Sequence, residues 1–206
     1  MPVLLATQGL CCERDDRLLV DHLSFELSTG EICQLEGPNG SGKTSLLRVL
    51  CGLSSRYYGD IFWRGEPISN YRYDYLSEML YLGHQPGNKA QLSPRENLRW
   101  HASVRAVESE SNIETALAKV GLYGFEDSPC YSLSAGQQRR VALARLFLTH
   151  TPLWVLDEPF TAIDKAGVRE LEGWIEEHAA NGGAVLLTTH HELAASLPVK
   201  RVVLGD

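Results

Sequence analysis

Eight consecutive residues constrain this chain more than any other feature: Gly37-Pro38-Asn39-Gly40-Ser41-Gly42-Lys43-Thr44, which fits G-x-x-x-x-G-K-[ST]. The pattern has physical content only between a strand and a helix, and both neighbours are readable. Residues 31–36 form an apolar run bounded by turn residues, and Leu46, Val49, Leu50 and Leu53 recur at i, i+3, i+4 and i+7, with Gly52 as the stop. Glycines let backbone N–H groups turn inward around an anion, and the first turn of the helix adds the positive end of its dipole. Lys43 is then expected on β and γ phosphates and the Thr44 hydroxyl on a Mg²⁺ ion.

Three further apolar runs, at 79–82, 153–156 and 184–189, read as strands, and the last two are continuous rather than alternating. Continuous runs suit parallel strands covered on both faces, so an α/β fold with a mainly parallel core sheet is expected. Before that core, β-like segments at 3–6, 18–27 and 61–64 are parted by Asp15-Asp16 and Gly59-Asp60, as in an antiparallel β subdomain. Between Pro86 and Cys130 the pattern turns helical, with Ile113, Leu117 and Val120 on one face ahead of Gly121. A helical lobe inserted at about residues 86–145 of one 206-residue domain is the expectation.

Two more segments carry chemistry. The run Leu153-Trp154-Val155-Leu156 leads straight into Asp157-Glu158, two acids at the carboxyl end of a buried strand, where open α/β sheets bind ligands. Neighbouring strand residues point to opposite sides, which lets the acids divide the work: Asp157 for the Mg²⁺ shell, Glu158 for polarising or deprotonating an attacking water. Pro159 takes the chain out of the strand. In Leu133-Ser134-Ala135-Gly136-Gln137, Ser134 and Gln137 form a capping box ahead of a helical run. Capping leaves Gly136 unexplained, because a first-turn glycine costs roughly 0.5–1 kcal/mol against alanine. Close approach of backbone to a second phosphate-bearing surface accounts for it.

Charge and composition narrow the partners. Nineteen Lys plus Arg against 26 Asp plus Glu give −7, which disfavours a phosphate-backbone footprint, so no nucleic acid partner is expected. No apolar run approaches the roughly 20 residues that span a bilayer. Residues 1–12 carry no Lys or Arg, unlike a signal peptide, so a cytosolic location is expected. Cys11, Cys12, Cys33, Cys51 and Cys130 show no metal-ligand spacing and read chiefly as small buried hydrophobes.

Taken together, these residues resemble the ATP-binding subunits of ABC transporters over nearly the whole chain. Residues 133–137 resemble the signature motif of that superfamily, with Ala135 in place of the usual first glycine. Gln85 after the strand at 79–82 matches the Q-loop, which in the family senses metal and water. Ala162-Ile163-Asp164 matches the D-loop, and Thr188-Thr189-His190 the switch histidine, with His191 as a rival. The resemblance implies two copies sandwiching two ATP molecules, each held by residues 37–44 of one chain and by Ser134, Ala135, Gly136 and Gln137 of the other. The family usually stacks an aromatic ring on adenine about 25 residues before the phosphate loop, yet residues 1–24 contain no Phe, Tyr or Trp. Arg14 is the candidate substitute, its guanidinium over the base, against the alternative of a solvated charged turn.

The segments 12–17, 83–87, 96–98, 133–145 and 157–164 resemble most closely the ATPases of bacterial cytochrome c maturation systems. That resemblance implies a peripheral subunit on the cytoplasmic face of the inner membrane. Its integral partner would be cytochrome c maturation protein B, and ATP hydrolysis would energise haem export or handling and release of a haem-loaded chaperone. The alternatives are a soluble ABC ATPase of metal-cluster assembly and a small-molecule P-loop kinase, the latter having no need of Ser134 or His190.

Overall fold

A computed structural model describes residues 1–15, 17–104, 110–193 and 199–205. Asp16, expected in a turn with Asp15, and residues 105–109 of the expected helical lobe lie outside the described residues. The chain divides into two compact units, one of Met1–Tyr81, Thr151–Pro159 and Glu170–Asp206, the other of Leu82–His150 and Phe160–Arg169.

In chain order the first unit contains β1 (Val3–Arg14), β2 (Arg17–Ser28), β3 (Ile32–Glu36), α1 (Lys43–Leu50), β4 (Tyr57–Trp63), β5 (Glu66–Pro67), α2 (Arg72–Ser77) and all but the last residue of β6 (Met79–Leu82). Later segments add β7 (Leu153–Asp157), β8 (Ala184–Thr188) and β9 (Val199–Val203). Strands β2-β1-β4-β5 form an antiparallel sheet, and β6-β7-β8-β3-β9 a five-stranded sheet in which β7, β8, β3 and β9 pair in parallel. This is the α/β fold expected, but the antiparallel subdomain does not lie wholly ahead of the core: β3 and α1 of the core come between β2 and β4, so its strands are gathered from both sides of the phosphate loop.

The continuous apolar runs behave as expected: all five residues of β7 and all five of β8 are buried. On α1, Leu46, Leu47, Val49 and Leu50 are buried in the core cluster, each worth roughly 1.5–3 kcal/mol. Leu53 departs from the expectation. The helix ends at Leu50, Gly52 turns at φ 67°, and Leu53 is left 53% exposed rather than on the apolar stripe. Strand β9 was not anticipated: in Val199-Lys200-Arg201-Val202-Val203 only Val202 is buried, the pattern of an edge strand whose charges face water.

All five cysteines are free and buried, as small hydrophobes. Burial pushes the Cys12 thiol up to about 11 and that of Cys33 to about 12, so both stay protonated at neutral pH. Among the described residues no helix is long and apolar enough to cross a membrane.

The second unit is helical, with α3 (Pro94–Val104), α4 (Glu110–Lys119) and α5 (Ala135–Ala144). Ile113, Leu117 and Val120 are buried, and Gly121 follows α4 at φ 70°. Arg99 donates to Glu110 at 2.6 and 3.0 Å and Arg95 to Asp127 at 2.8 and 3.2 Å. These hydrogen bonds hold both carboxyls below the usual carboxylate range. A sixth helix, α6 (Lys165–Ala180), begins in the second unit's last segment and runs on into the first.

Candidate active site

Parallel pairing brings the carboxyl ends of β3, β7 and β8 to one edge of the sheet, since Thr188 stands opposite both Asp157 and Leu35. The chain leaves β3 through Gly37, whose φ of 144° excludes other residues easily; a Cβ there would lie 2.5 Å from the Leu204 carbonyl oxygen. The loop then reaches α1 through Gly42 at φ 95°, an N-cap without any side-chain hydrogen bond. The first-turn N–H groups of α1 therefore have no side-chain acceptor at the cap, the condition in which a helix N-terminus takes an anion. Lys43 folds back along the loop, its Nζ donating to the carbonyls of Gly37 (2.6 Å) and Pro38 (3.0 Å). Within the same loop the Ser41 Oγ is buried with no hydrogen-bond partner among the described residues, a polar atom that a phosphate oxygen would satisfy.

Below the loop, the Thr44 hydroxyl donates to Asp157 Oδ1 at 3.3 Å. Asp157 is 1% exposed and also accepts from the Thr188 hydroxyl at 2.8 Å. A hydroxyl facing a buried carboxylate supplies the all-oxygen donor set that Mg²⁺ prefers. The field of Asp157 reaches Tyr81, whose phenol is pushed up to about 12 by burial first and by that carboxylate second.

Glu158 follows at φ 48°, a left-handed conformation that costs a non-glycine residue energy and needs an external hold. Thr188 provides it: its carbonyl oxygen accepts the Glu158 N–H at 3.1 Å and its Oγ1 at 3.0 Å. One threonine thus fixes both acids, donating to Asp157 and accepting from Glu158. Sequence reasoning passed over Thr188, reading it only as a neighbour of His190. Its one signal was a hydroxyl at the end of a wholly apolar strand.

The two adjacent histidines separate. His190 Nε2 stands 3.6 Å from Glu158 Oε1, whereas His191 Nε2 is 2.9 Å from Glu172 Oε1. Gln34 donates to the Thr189 carbonyl at 3.3 Å, steadying the backbone that carries His190. A cavity of about 240 Å³ is lined by Gln34, Gly37, Lys43, Thr189 and His190. A second, of about 380 Å³, is lined by Arg14 with Glu13, Thr44, Ser45 and Arg48, and no aromatic ring is among its lining residues. Arg14 is itself exposed, its Nε 3.4 Å from the Asp15 carboxylate.

The remaining sequence-derived residues lie in the second unit. Gln85 is exposed in the loop after β6. Ser134 caps α5: its Oγ accepts the Gln137 N–H at 3.2 Å, and Gln137 Oε1 accepts the Ser134 N–H at 2.9 Å, the capping box expected. Ala135 opens the helix, exposed. Gly136 has a structural reason besides any anion, because a Cβ there would sit 2.9 Å from the carbonyl oxygen of Ala162, itself at φ 65°. Asp164 caps α6 by accepting the Gly167 N–H at 2.8 Å, with Arg140 Nη2 3.6 Å away.

Comparison with known proteins agrees with this geometry. The family model described as ABC transporter matches residues 20–161. A cytochrome c biogenesis ATP-binding export protein CcmA of Hahella chejuensis is 56% identical over 202 residues, 98% of this chain and 96% of that protein. The protein of the same name from Yersinia pestis bv. Antiqua is 53% identical over 204 residues, covering 98% of this chain and 94% of its own. Among solved structures, an ABC transporter ATP-binding protein from Pyrococcus furiosus superposes with a TM-score of 0.83 at 26% identity, covering 97% of this chain and 96% of that one. The ATP-binding subunit of another ABC transporter gives 0.82 at 26% identity, over 91% of this chain and 79% of that one. With most of its length matched by the family model and more than half its residues shared with these relatives, the chain belongs to the ABC transporter ATP-binding family, among its cytochrome c biogenesis export proteins.

Proposed function

We propose that this chain is the ATP-hydrolysing, energy-coupling subunit of a haem export or handling complex for c-type cytochrome biogenesis. The observation that carries hydrolysis is the buried Asp157 facing Thr44 at the foot of an uncapped α1, with Glu158 next in the chain and His190 beside it. The near full-length identity to proteins named for cytochrome c biogenesis carries the pathway.

The reaction is attack of water on the γ-phosphate of ATP, giving ADP and inorganic phosphate. Asn39, Gly40, Ser41 and Gly42 turn backbone N–H groups toward the phosphates, Gly37 and Pro38 shape the entry to the loop, Pro38 without an N–H of its own, and Lys43 exchanges its two carbonyl partners for β and γ oxygens, stronger charge-assisted acceptors. Thr44 and Asp157 would hold Mg²⁺, and when bound the ion would neutralise charge on the phosphates; the role of sensing metal and water is assigned to Gln85 by the resemblance to the Q-loop alone. Glu158 accepts the proton of the attacking water, and its fixed backbone keeps the carboxylate aimed. His190, 3.6 Å from Glu158, stands beside that carboxylate and is assigned to the γ-phosphate. Arg14 lines the cavity beside Thr44 and Ser45 and is assigned to the adenine.

A second copy completes each site. Ser134, Ala135, Gly136 and Gln137 of that copy close on the γ-phosphate, and Asp164 stands at the junction. The complex sits on the cytoplasmic face of the inner membrane, bound to the integral subunit cytochrome c maturation protein B. The test is copurification: the tagged chain should be recovered from membranes with one integral subunit, which raises its ATPase rate. A fully soluble ATPase without such a partner would defeat the export reading and favour cluster assembly.

A further inference from the structure

Two side chains to which no role has been given so far fasten the loop of Gln85 to the signature helix. Arg139, on α5, is 2% exposed, and its Nη1 donates to the carbonyl oxygens of Gly83 (3.0 Å) and His84 (3.4 Å). Asn88, on the other side of Gln85, donates through Nδ2 to the Gln138 carbonyl at 2.7 Å. Gln138 and Arg139 directly follow Gln137, so both anchors lie within two residues of the signature motif.

The segment beyond Asn88 is anchored as well. The Tyr131 and Cys130 N–H groups donate to the carbonyls of Ala90 (2.9 Å) and Leu92 (3.0 Å), just ahead of Ser134. Asn97, 1% exposed, accepts the Lys89 N–H at 2.8 Å and donates to the Lys89 carbonyl at 3.2 Å. Between the Arg139 and Asn88 anchors, residues 85–87 form a short arch with the Gln85 side chain exposed and Gly87 at φ 70°. A buried guanidinium is costly to desolvate, and an apolar side chain of the same length would fill the space more cheaply. What arginine adds is direction: it fixes two carbonyls at the entrance to the arch.

We propose that Arg139 and Asn88 are positioning residues that join the Gln85 arch and the start of α5 into one rigid element. Nucleotide capture at Ser134 then sets the place of the Gln85 amide at the other nucleotide. The proposal rests on the roles given above to Gln85 and Ser134. It requires no contact of Arg139 or Asn88 with ATP, only that a small displacement of a catalytic group is expensive in rate.

The test is a double-mutant cycle on turnover of the full-length protein at saturating ATP. Arg139→Met should lower kcat about tenfold, and Asn88→Ala about threefold, as for a lost neutral hydrogen bond. KM and the affinity for a fluorescent ATP analogue should not change. Gln85→Ala should lower kcat by itself, and adding Arg139→Met or Asn88→Ala to it should cost nothing more, because all three act through one amide. Arg139→Lys, which keeps a donor, should recover part of the loss. If the losses multiply with that of Gln85→Ala, the clamp is overturned while the role of Gln85 stands. Unchanged kcat in Gln85→Ala alone removes the Gln85 role and the clamp with it. Should Arg139→Met fail to fold, Asn88→Ala and Arg139→Lys complete the same cycle.

Discussion

The two glycine-bearing helix starts are built differently. At α1 the cap is Gly42, at φ 95° and without a side-chain hydrogen bond, and Lys43 occupies itself with two loop carbonyls. At α5 the cap is Ser134, whose hydroxyl and whose partner Gln137 satisfy two backbone donors inside the chain. The first leaves its donors for a ligand, so an anion gains all of them at once. The second already stands complete, and Ser134, an acceptor for Gln137, keeps an O–H to donate outward. The difference teaches how the two starts stand toward an anion: α1 leaves its first-turn donors without a side-chain acceptor, whereas α5 has two of its own already satisfied, so under the proposed function affinity is expected from the α1 loop and only an added contact from the α5 cap.

Substitutions can break this division. The largest effect is expected from Glu158→Gln, which should cut phosphate release roughly 10²–10⁴-fold while equilibrium ATP binding is retained, since the acid serves chemistry and not the cradle. Normal turnover in that variant would take the proton-accepting role away from Glu158. Next, Lys43→Ala should weaken ATP binding by about 10–100-fold, through loss of a charged hydrogen bond worth roughly 1.5–3 kcal/mol. Ser134→Arg should leave the affinity of the isolated chain unchanged and lower turnover of the assembled complex. Equal loss of affinity in both variants would erase the distinction between the two helix starts. The smallest effect is that of Ser134→Ala, expected to cost about 1 kcal/mol in chemical denaturation as a lost cap; an unmoved midpoint would mean that the box contributes nothing to stability.

Much of the site was legible because its information is local. Residues 37–44 carry the whole loop in eight positions, and the apolar lead into Asp157 announces a strand end. What escaped is non-local. Thr188 bonds to a carboxylate 31 residues away, and in sequence it is only the last residue of an apolar run. The same holds for Gly136, whose neighbour Ala162 becomes visible only once the chain has folded back. Leu53 was misplaced because the i+7 periodicity was carried past Gly52, the stop that the sequence itself offers and before which the helix does end. Strand β9 was hidden by Lys200 and Arg201, side chains that an edge strand tolerates and a central one does not.

Position 136 has a consequence for how this chain tolerates change. A single added carbon would press at 2.9 Å on a carbonyl of Ala162, a backbone atom that cannot swing aside. Any substitution there acts as a wedge between two segments distant in sequence, because either residue 136 or the Ala162 carbonyl has to shift. Intolerance at 136 is therefore shared property of two motifs, and drift in one is paid for by the other.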